Sequence, residues 1–189
     1  MDAQDRATRI TELRLIIEAS PGGDVLKLGA AAIARRSKRD GSDDPRTTLD
    51  PDENEGFNQL LAMFESVFLV AAADGNLMQS EVDELAAMLV ELTGRGLPVA
   101  EVERLIEQCA QALDRDDYDS RAQAIAARLE DTASRRTAFV MAVGMAYVDG
   151  AVQEEERDVF ELLAGTFGIP NDEAAALLDS TRRRIERVA

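Results

Sequence analysis

The sequence predicts an all-α protein: a helical bundle of two pseudo-symmetric three-helix repeats plus a connecting helix, preceded by an N-terminal helical extension. Hydrophobic residues make up 46% of the chain but aromatic residues only 4%. Alanine and aliphatic side chains must therefore fill the core, which favours helices. Apolar residues recur at helical spacing from about residue 55 to the end. The corners Asp74-Gly75 and Asp149-Gly150, 75 positions apart, each interrupt that pattern.

The N-terminal extension contains two predicted helices. The first spans residues 8–19, where Ile10, Leu13 and Ile17 form one apolar stripe. The second spans residues 24–36 and belongs to the stretch "VLKLGAAAIARRSKR", which has five basic residues and no acidic one. Three interpretations of this stretch remain open: docking on the acidic body of the protein or on a partner, an ordinary surface helix, and a membrane-surface helix without the usual aromatic anchors.

A polar segment separates this extension from the rest of the chain. The sequence "SKRDGSDDPRTTLDPDEN", residues 37–54, contains one glycine and two prolines, which is typical of a mobile linker. We therefore predict a helical extension at residues 1–36, a flexible linker at 37–54 and a compact helical domain at 55–189. The helix at 24–36 should then be separable from the domain.

Within the predicted domain, one plan occurs twice. In each copy an apolar helix ends at Asp-Gly, a second helix ends at Gly, and a third begins at Pro. The markers are Asp74-Gly75, Gly94 and Pro98 in the first copy, and Asp149-Gly150, Gly168 and Pro170 in the second. A connecting helix should run from about residue 120 to 129. Because neither unit can bury its apolar faces alone, we expect the two to pack about a pseudo-twofold axis.

The charge is concentrated in the predicted domain. Residues 1–50 hold nine basic and nine acidic side chains, whereas residues 51–189 hold twelve arginines and 28 acidic side chains. The net charge of −16 therefore belongs to the second segment. Such a surface repels nucleic acid, attracts cations and basic partners, and also promotes solubility.

Several absences limit the chemistry. The chain has no histidine and one cysteine, Cys109, which excludes Ser-His-Asp and Cys-His catalysis and the usual zinc ligand sets. Any metal must be held by oxygen, as Ca²⁺ and Mg²⁺ are. No run of 18 apolar residues predicts a membrane span. The N-terminal sequence carries acidic residues and lacks an apolar signal region, and the single cysteine cannot form an internal disulfide, so we predict a cytoplasmic protein.

The two corners share the pattern D-G-x-[LV]-x-x-x-E, which supplies four candidate metal ligands: Asp74, Glu81, Asp149 and Glu156. This spacing matches the second half of a calcium-binding EF-hand loop, but the first half lacks ligating side chains, which excludes a true EF-hand. Each corner offers two carboxylates, and two corners together would offer four. The alternative is structural: the glycine makes the turn, and the glutamate in the first helical turn complements the helix dipole.

The apolar helix ending in "AADG", followed by an aliphatic residue and Glu and occurring twice, resembles the tellurite-resistance TerB family over about residues 55–189. The resemblance implies a cytoplasmic, seven-helix-type, non-enzymatic module tied to metal or stress response, with protein partners near membranes. It also implies acidic metal-binding residues, which on this chain are Asp74, Glu81, Asp149 and Glu156. The chain departs from the family in its N-terminal extension and in Val148, which replaces alanine before the second Asp-Gly.

Two functions remain open. The first is a non-enzymatic, cation-responsive helical binding module of a metal or tellurite-type stress response, which acts through protein partners and holds Ca²⁺ or Mg²⁺. The second is a purely structural protein-interaction scaffold with no metal site. We predict no enzyme and no organic cofactor, because neither a nucleophile nor a nucleotide-binding loop accompanies the carboxylates.

Overall fold

The computed structural model describes residues 2–39, 51–75, 77–150 and 152–188. These residues form nine α-helices and no strand, which confirms the predicted all-α class. The helices are α1 (Ala3–Glu18), α2 (Asp24–Arg39), α3 (Pro51–Ala71), α4 (Gln79–Leu92), α5 (Val99–Leu113), α6 (Tyr118–Arg128), α7 (Thr132–Asp149), α8 (Glu154–Thr166) and α9 (Asn171–Arg187). Over the described ranges, no helix is both long and apolar enough to cross a membrane.

Helix α7 is the centre of the bundle. Twelve of its eighteen residues are buried, because α1, α3, α8 and α9 all pack against it. Its N-terminus is capped by Asp131, whose carboxylate accepts a hydrogen bond from the Ser134 amide at 2.8 Å. The helix therefore delivers Asp149, at its other end, to a fixed place in the fold.

The two N-terminal helices pack into the same core as the rest of the chain. Ile10, Leu13 and Ile17 of α1 are almost completely buried, as the apolar stripe predicts. Helices α2 and α3 cross closely, since a Cβ built on Gly29 would lie 2.5 Å from the Cβ of Leu60 and 2.7 Å from the carbonyl oxygen of Gly56. Glycine is required at position 29 because any larger residue would push the helices apart.

The division into an extension at 1–36, a linker at 37–54 and a domain at 55–189 stays a prediction, although two helices cross its boundaries. Residues 37–39 belong to α2 and residues 51–54 to α3, so the described ends of the predicted linker are helical. The remainder of that prediction, residues 40–50, lies outside the described residues. Composition did not identify these ends as helical, since Asp, Glu and Pro are common both in the first turn of a helix and in linkers.

The predicted repeat pairs α3, α4 and α5 with α7, α8 and α9, and takes α6 as the connecting helix. The second helix of each set ends before a glycine with positive φ, +67° at Gly94 and +69° at Gly168, and Pro98 and Pro170 are the N-cap residues of the third. The pseudo-symmetry of the two halves stays a prediction for a superposition of α3–α5 on α7–α9.

A buried ion triad fixes α6 against α3. The carboxylate of Glu65, whose side chain is only 5% exposed, accepts hydrogen bonds from the guanidinium groups of Arg121 and Arg128. Cys109 lines a small cavity beside this triad. Burial, and then the negative charge of Glu65, raises the pKa of its thiol to about 12. The thiol therefore stays protonated and unreactive at neutral pH.

Candidate functional site

The first corner follows α3. The Gly75 amide donates a hydrogen bond to the carbonyl of Ala72 at 2.9 Å, and Gly75 has a φ of +83°, a conformation that glycine adopts without strain. In the second corner the Gly150 amide donates to the carbonyl of Ala146 at 3.1 Å, and Gly150 has a φ of +150°. Each turn leaves the aspartate before the glycine exposed at a helix end.

The glutamate of each corner caps the helix that follows. Oε2 of Glu81 accepts a hydrogen bond from the amide of Met78, the N-cap residue of α4, at 2.7 Å. Oε2 of Glu156 accepts one from the amide of Gln153, the N-cap residue of α8, also at 2.7 Å. Each of the two contacts is one half of a capping box. Both glutamates therefore have a structural role, in addition to any ligand that they bind.

The fold brings the two corners to one cleft. Asp74, Glu81, Asp149 and Glu156 all line a cavity of about 350 Å³, together with the backbone of Gly150 and the ends of α3 and α7. This convergence depends on α3 and α7, which pack side by side. The carboxylate of Glu155 also lines it. We refer to this cavity as the acidic cleft.

Electrostatic coupling crosses the acidic cleft. Burial raises the pKa of Glu156 above its ordinary value, and the negative charges of Asp149 and Asp74 raise it further, while the hydrogen bond from the Gln153 amide lowers it. The effect of Asp74 is notable because it belongs to the other corner. Adding a proton or a cation to this cleft therefore relieves repulsion.

The acidic cleft has an apolar floor. An adjoining cavity of about 100 Å³ is lined by aliphatic side chains of α3, α4 and α7, among them Val67, Leu85 and Met145, and by the carboxylates of Glu81, Glu84, Asp149 and Glu156. An apolar floor lowers the local dielectric, so charges at the rim are screened less than on an open surface. The floor offers no nucleophile, so the chemistry of the cleft is that of carboxylate oxygens.

The side chains do not form a ready coordination sphere. Across the described ranges, no three acidic or cysteine side chains converge closely enough to hold a metal ion. Both Glu81 and Glu156 have one oxygen engaged in a capping contact. An ion held here would need water ligands or rotation of the exposed aspartates.

Two residues of this region were missed by the sequence reasoning. Nη1 of Arg6, on α1, lies 2.7 Å from Oε1 of Glu84, on α4, and Nη2 of Arg6 lies 3.8 Å from Oδ1 of Asp149. The hydrogen bond to Glu84 and the charge of Asp149 both raise the pKa of Arg6, against burial, which lowers it. The charge imbalance could have led to Arg6, because an acidic segment attracts basic groups from the rest of the chain.

The protein is an all-helical bundle with an acidic cleft between two Asp-Gly corners. The family model described as tellurite resistance protein TerB matches residues 60–179. The chain therefore belongs to the TerB family, and the predicted resemblance is confirmed. It carries a helical module associated with tellurite resistance. Comparisons with curated proteins and with solved structures found no match.

Proposed function

We propose that the acidic cleft binds a divalent cation, Ca²⁺ or Mg²⁺, and that the protein is a non-enzymatic, cation-responsive module of a metal or tellurite-type stress response. The observation that carries this proposal is the convergence of Asp74, Glu81, Asp149 and Glu156 on one cavity from corners 75 positions apart. Carboxylate oxygens are the ligands that both cations prefer.

Electrostatics supports a cation rather than a neutral ligand. Five carboxylates line one cleft, those four and Glu155. Burial raises the pKa of Glu156, and the charges of Asp149, Asp74 and Glu155 raise it further, which is the direction expected of carboxylates that repel one another. A divalent cation removes this repulsion, and its binding stabilises the folded state by mass action. Binding would therefore tighten the junction of α3 with α7.

The size of the cleft favours a partly hydrated ion. A cavity of about 350 Å³ has room for an ion with several waters, since each water occupies about 30 Å³. Mg²⁺ typically keeps several waters and binds through one or two carboxylates, whereas Ca²⁺ takes six to eight oxygens. Mg²⁺ therefore needs fewer of the carboxylates than Ca²⁺ does, and should require less rearrangement of the cleft.

A calorimetric titration tests the proposal. Wild-type protein should bind CaCl₂ or MgCl₂ in the acidic cleft, and saturation at 100 times the dissociation constant should add about 2.7 kcal/mol to the free energy of unfolding. The double substitution Asp74→Asn with Asp149→Asn should abolish both binding and stabilisation. The control variant Asp158→Asn with Glu130→Gln also removes two negative charges, but from exposed positions outside the cleft. It should change neither the binding nor the stabilisation.

The capping contacts of Glu81 and Glu156 favour a second candidate, a structural protein-interaction scaffold with no metal site. In that case the two glutamates serve only to cap the N-termini of α4 and α8. Glu81→Ala should then lower the free energy of unfolding by about 1 kcal/mol, equally in chelator and in calcium. Equal melting curves of the wild type in calcium and in chelator, at matched ionic strength, would leave the scaffold as the function.

We infer that protein partners bind differently to the cation-bound and the cation-free module. The chain carries a formal net charge of −16, so a basic partner surface, membrane-associated or cytoplasmic, is the complementary one. Cation binding at the acidic cleft lowers the negative charge presented to such a partner. Pull-down of basic partners should therefore respond to calcium in the wild type and not in the Asp74→Asn, Asp149→Asn double variant.

A further inference from the structure

Helix α1 lies outside the family match yet reaches the acidic cleft. The match begins at residue 60, whereas Arg6 of α1 contacts Glu84 on the rim of the apolar floor and Asp149 of the second corner. The Arg6 side chain is 26% exposed, compared with 57% for Asp149 and 52% for Glu84. A partly buried guanidinium therefore faces two exposed carboxylates.

The position of α1 is fixed by two further contacts, made by residues one and two turns after Arg6. Nη1 of Arg9 donates a hydrogen bond to the carbonyl of Tyr147, in the last turn of α7, at 3.3 Å. Arg184 of α9 donates to the carboxylate of Glu12 from Nε at 2.8 Å and from Nη2 at 2.6 Å. Helix α7 has no basic residue in its own last turn, so α1 supplies the positive charge that its dipole favours there.

We infer that Arg6 is a built-in counter-ion of the acidic cleft, which competes with the divalent cation for Asp149 and sets the concentration at which the cation binds. This inference rests on the proposed cation site. The guanidinium already compensates part of the negative charge, so an incoming ion meets a weaker field. An ion that coordinates Asp149 must also draw it away from Arg6.

The coupling has a reciprocal consequence. If Arg6 weakens cation binding, the cation must weaken the contact of Arg6 by the same factor. Saturation of the wild type with calcium should therefore loosen the N-terminal turns of α1, where Arg6 and Arg9 lie. Helix α6, held by the buried triad of Glu65, should not respond.

Calorimetric titration of the full chain with CaCl₂ tests the inference. We expect Arg6→Gln to bind calcium about three- to tenfold more tightly than the wild type at low ionic strength, and the gain to shrink at 1 M salt. Arg6→Lys keeps the charge and should bind like the wild type. Arg184→Gln, which releases α1 from α9 without touching the cleft, is the matched control and should also bind like the wild type.

The outcomes distinguish a failure of the role of Arg6 from a failure of the cation site. Calcium binding by the wild type with no gain in Arg6→Gln overturns the role of Arg6 and leaves the cation site standing. An equal gain in Arg184→Gln also overturns it, because loosening of α1 would then be the cause. Absence of binding in every variant overturns both proposals. Should Arg6→Gln fail to fold, hydrogen exchange of wild-type α1 decides: faster exchange in calcium supports the inference, and unchanged exchange overturns it.

Discussion

The phenolic hydroxyl of Tyr118, at the start of α6, donates a hydrogen bond to the carbonyl of Ala72, two residues before Asp74. The contact ties the connecting helix to the end of α3 and so to the first corner. Burial, and then the charge of Asp74, raises the pKa of this phenol. The phenol thus stays protonated and able to donate at neutral pH.

Removing this hydroxyl should loosen the first corner. We expect Tyr118→Phe to lower the free energy of unfolding by about 1 kcal/mol, the usual net value of one hydrogen bond, as measured by urea denaturation. Tyr147→Phe is the control, since the Tyr147 hydroxyl makes no hydrogen bond within the described part of the chain. Equal losses in the two variants would show that ring packing, not the bond to Ala72, holds α6 in place.

Two glycines inside helices should respond oppositely to alanine. Gly29 lies where α2 crosses α3 with no space for a methyl group, so Gly29→Ala should cost about 1–3 kcal/mol by overpacking. Gly165 of α8 has no heavy atom within 4 Å of its missing Cβ, so Gly165→Ala should stabilise by about 0.5 kcal/mol through helix propensity. Thermal melts of both variants check the pair; stabilisation by Gly29→Ala would contradict the close crossing.

The buried triad should be far more sensitive than a surface ion pair. Glu65→Gln removes the buried carboxylate that Arg121 and Arg128 share, although Arg121 keeps its ion pair with Asp116, and should cost about 3 kcal/mol. Glu173→Gln breaks the exposed pair with Arg136 and should cost less than about 1 kcal/mol. Chemical denaturation measures both, and similar small losses would mean that water screens the triad.

Glu156 should make stability depend on pH with a defined sign. Its pKa is raised above the ordinary 4.5, so the folded state holds the proton more tightly than the unfolded state does. The stabilising contribution is therefore present below pH 4.5 and is lost as the pH rises through the raised value. Glu156→Gln keeps an acceptor for the Gln153 amide and avoids the charge.

In chelator at pH 7, Glu156→Gln should therefore be more stable than the wild type by about 0.5 kcal/mol, a small value because water screens a half-exposed group. The difference should vanish at pH 3, where the wild-type carboxyl is protonated. Glu130→Gln, exposed and outside the acidic cleft, should show no such pH dependence. A constant difference between Glu156→Gln and the wild type from pH 3 to 7 would rule out repulsion as its cause.

Removal of residues 1–50 tests where the folding unit begins. Six large apolar side chains of α1 and α2 are buried: Ile10, Leu13, Ile16, Ile17, Val25 and Leu26. Their burial is worth on the order of 10 kcal/mol at about 1.5–3 kcal/mol each, which matches the whole stability of a typical domain. We expect the fragment to lose its cooperative melt, and a peptide of residues 2–39 to restore it in part. A fragment that melts like the full chain would support a separate domain at 55–189.

Sequence reasoning predicted those features that local chemistry determines. Helical spacing of apolar residues located the helices, and Gly75, Gly94 and Pro98 marked their ends, because glycine adopts positive φ at a helix end without strain and proline fixes φ at a helix start. The start of α1 was placed at residue 8 instead of residue 3, since Asp2 caps a first turn that is polar and so carries no apolar signal. The contact of Arg6 with Asp149 joins residues 143 positions apart, and no local pattern encodes such a pair.

Most of α7 is buried, whereas its last residue, Asp149, is exposed. Constraints from folding and constraints from function can therefore be told apart at this residue. Most positions in this helix should tolerate few substitutions in a mutational scan for stability, because neighbours cover nearly all of its sides. Asp149 is the exception, since its side chain is 57% exposed. A scan for expression level should therefore accept many residues at position 149. If a scan for resistance phenotype accepts few, the constraint at this residue comes from its charge and not from packing.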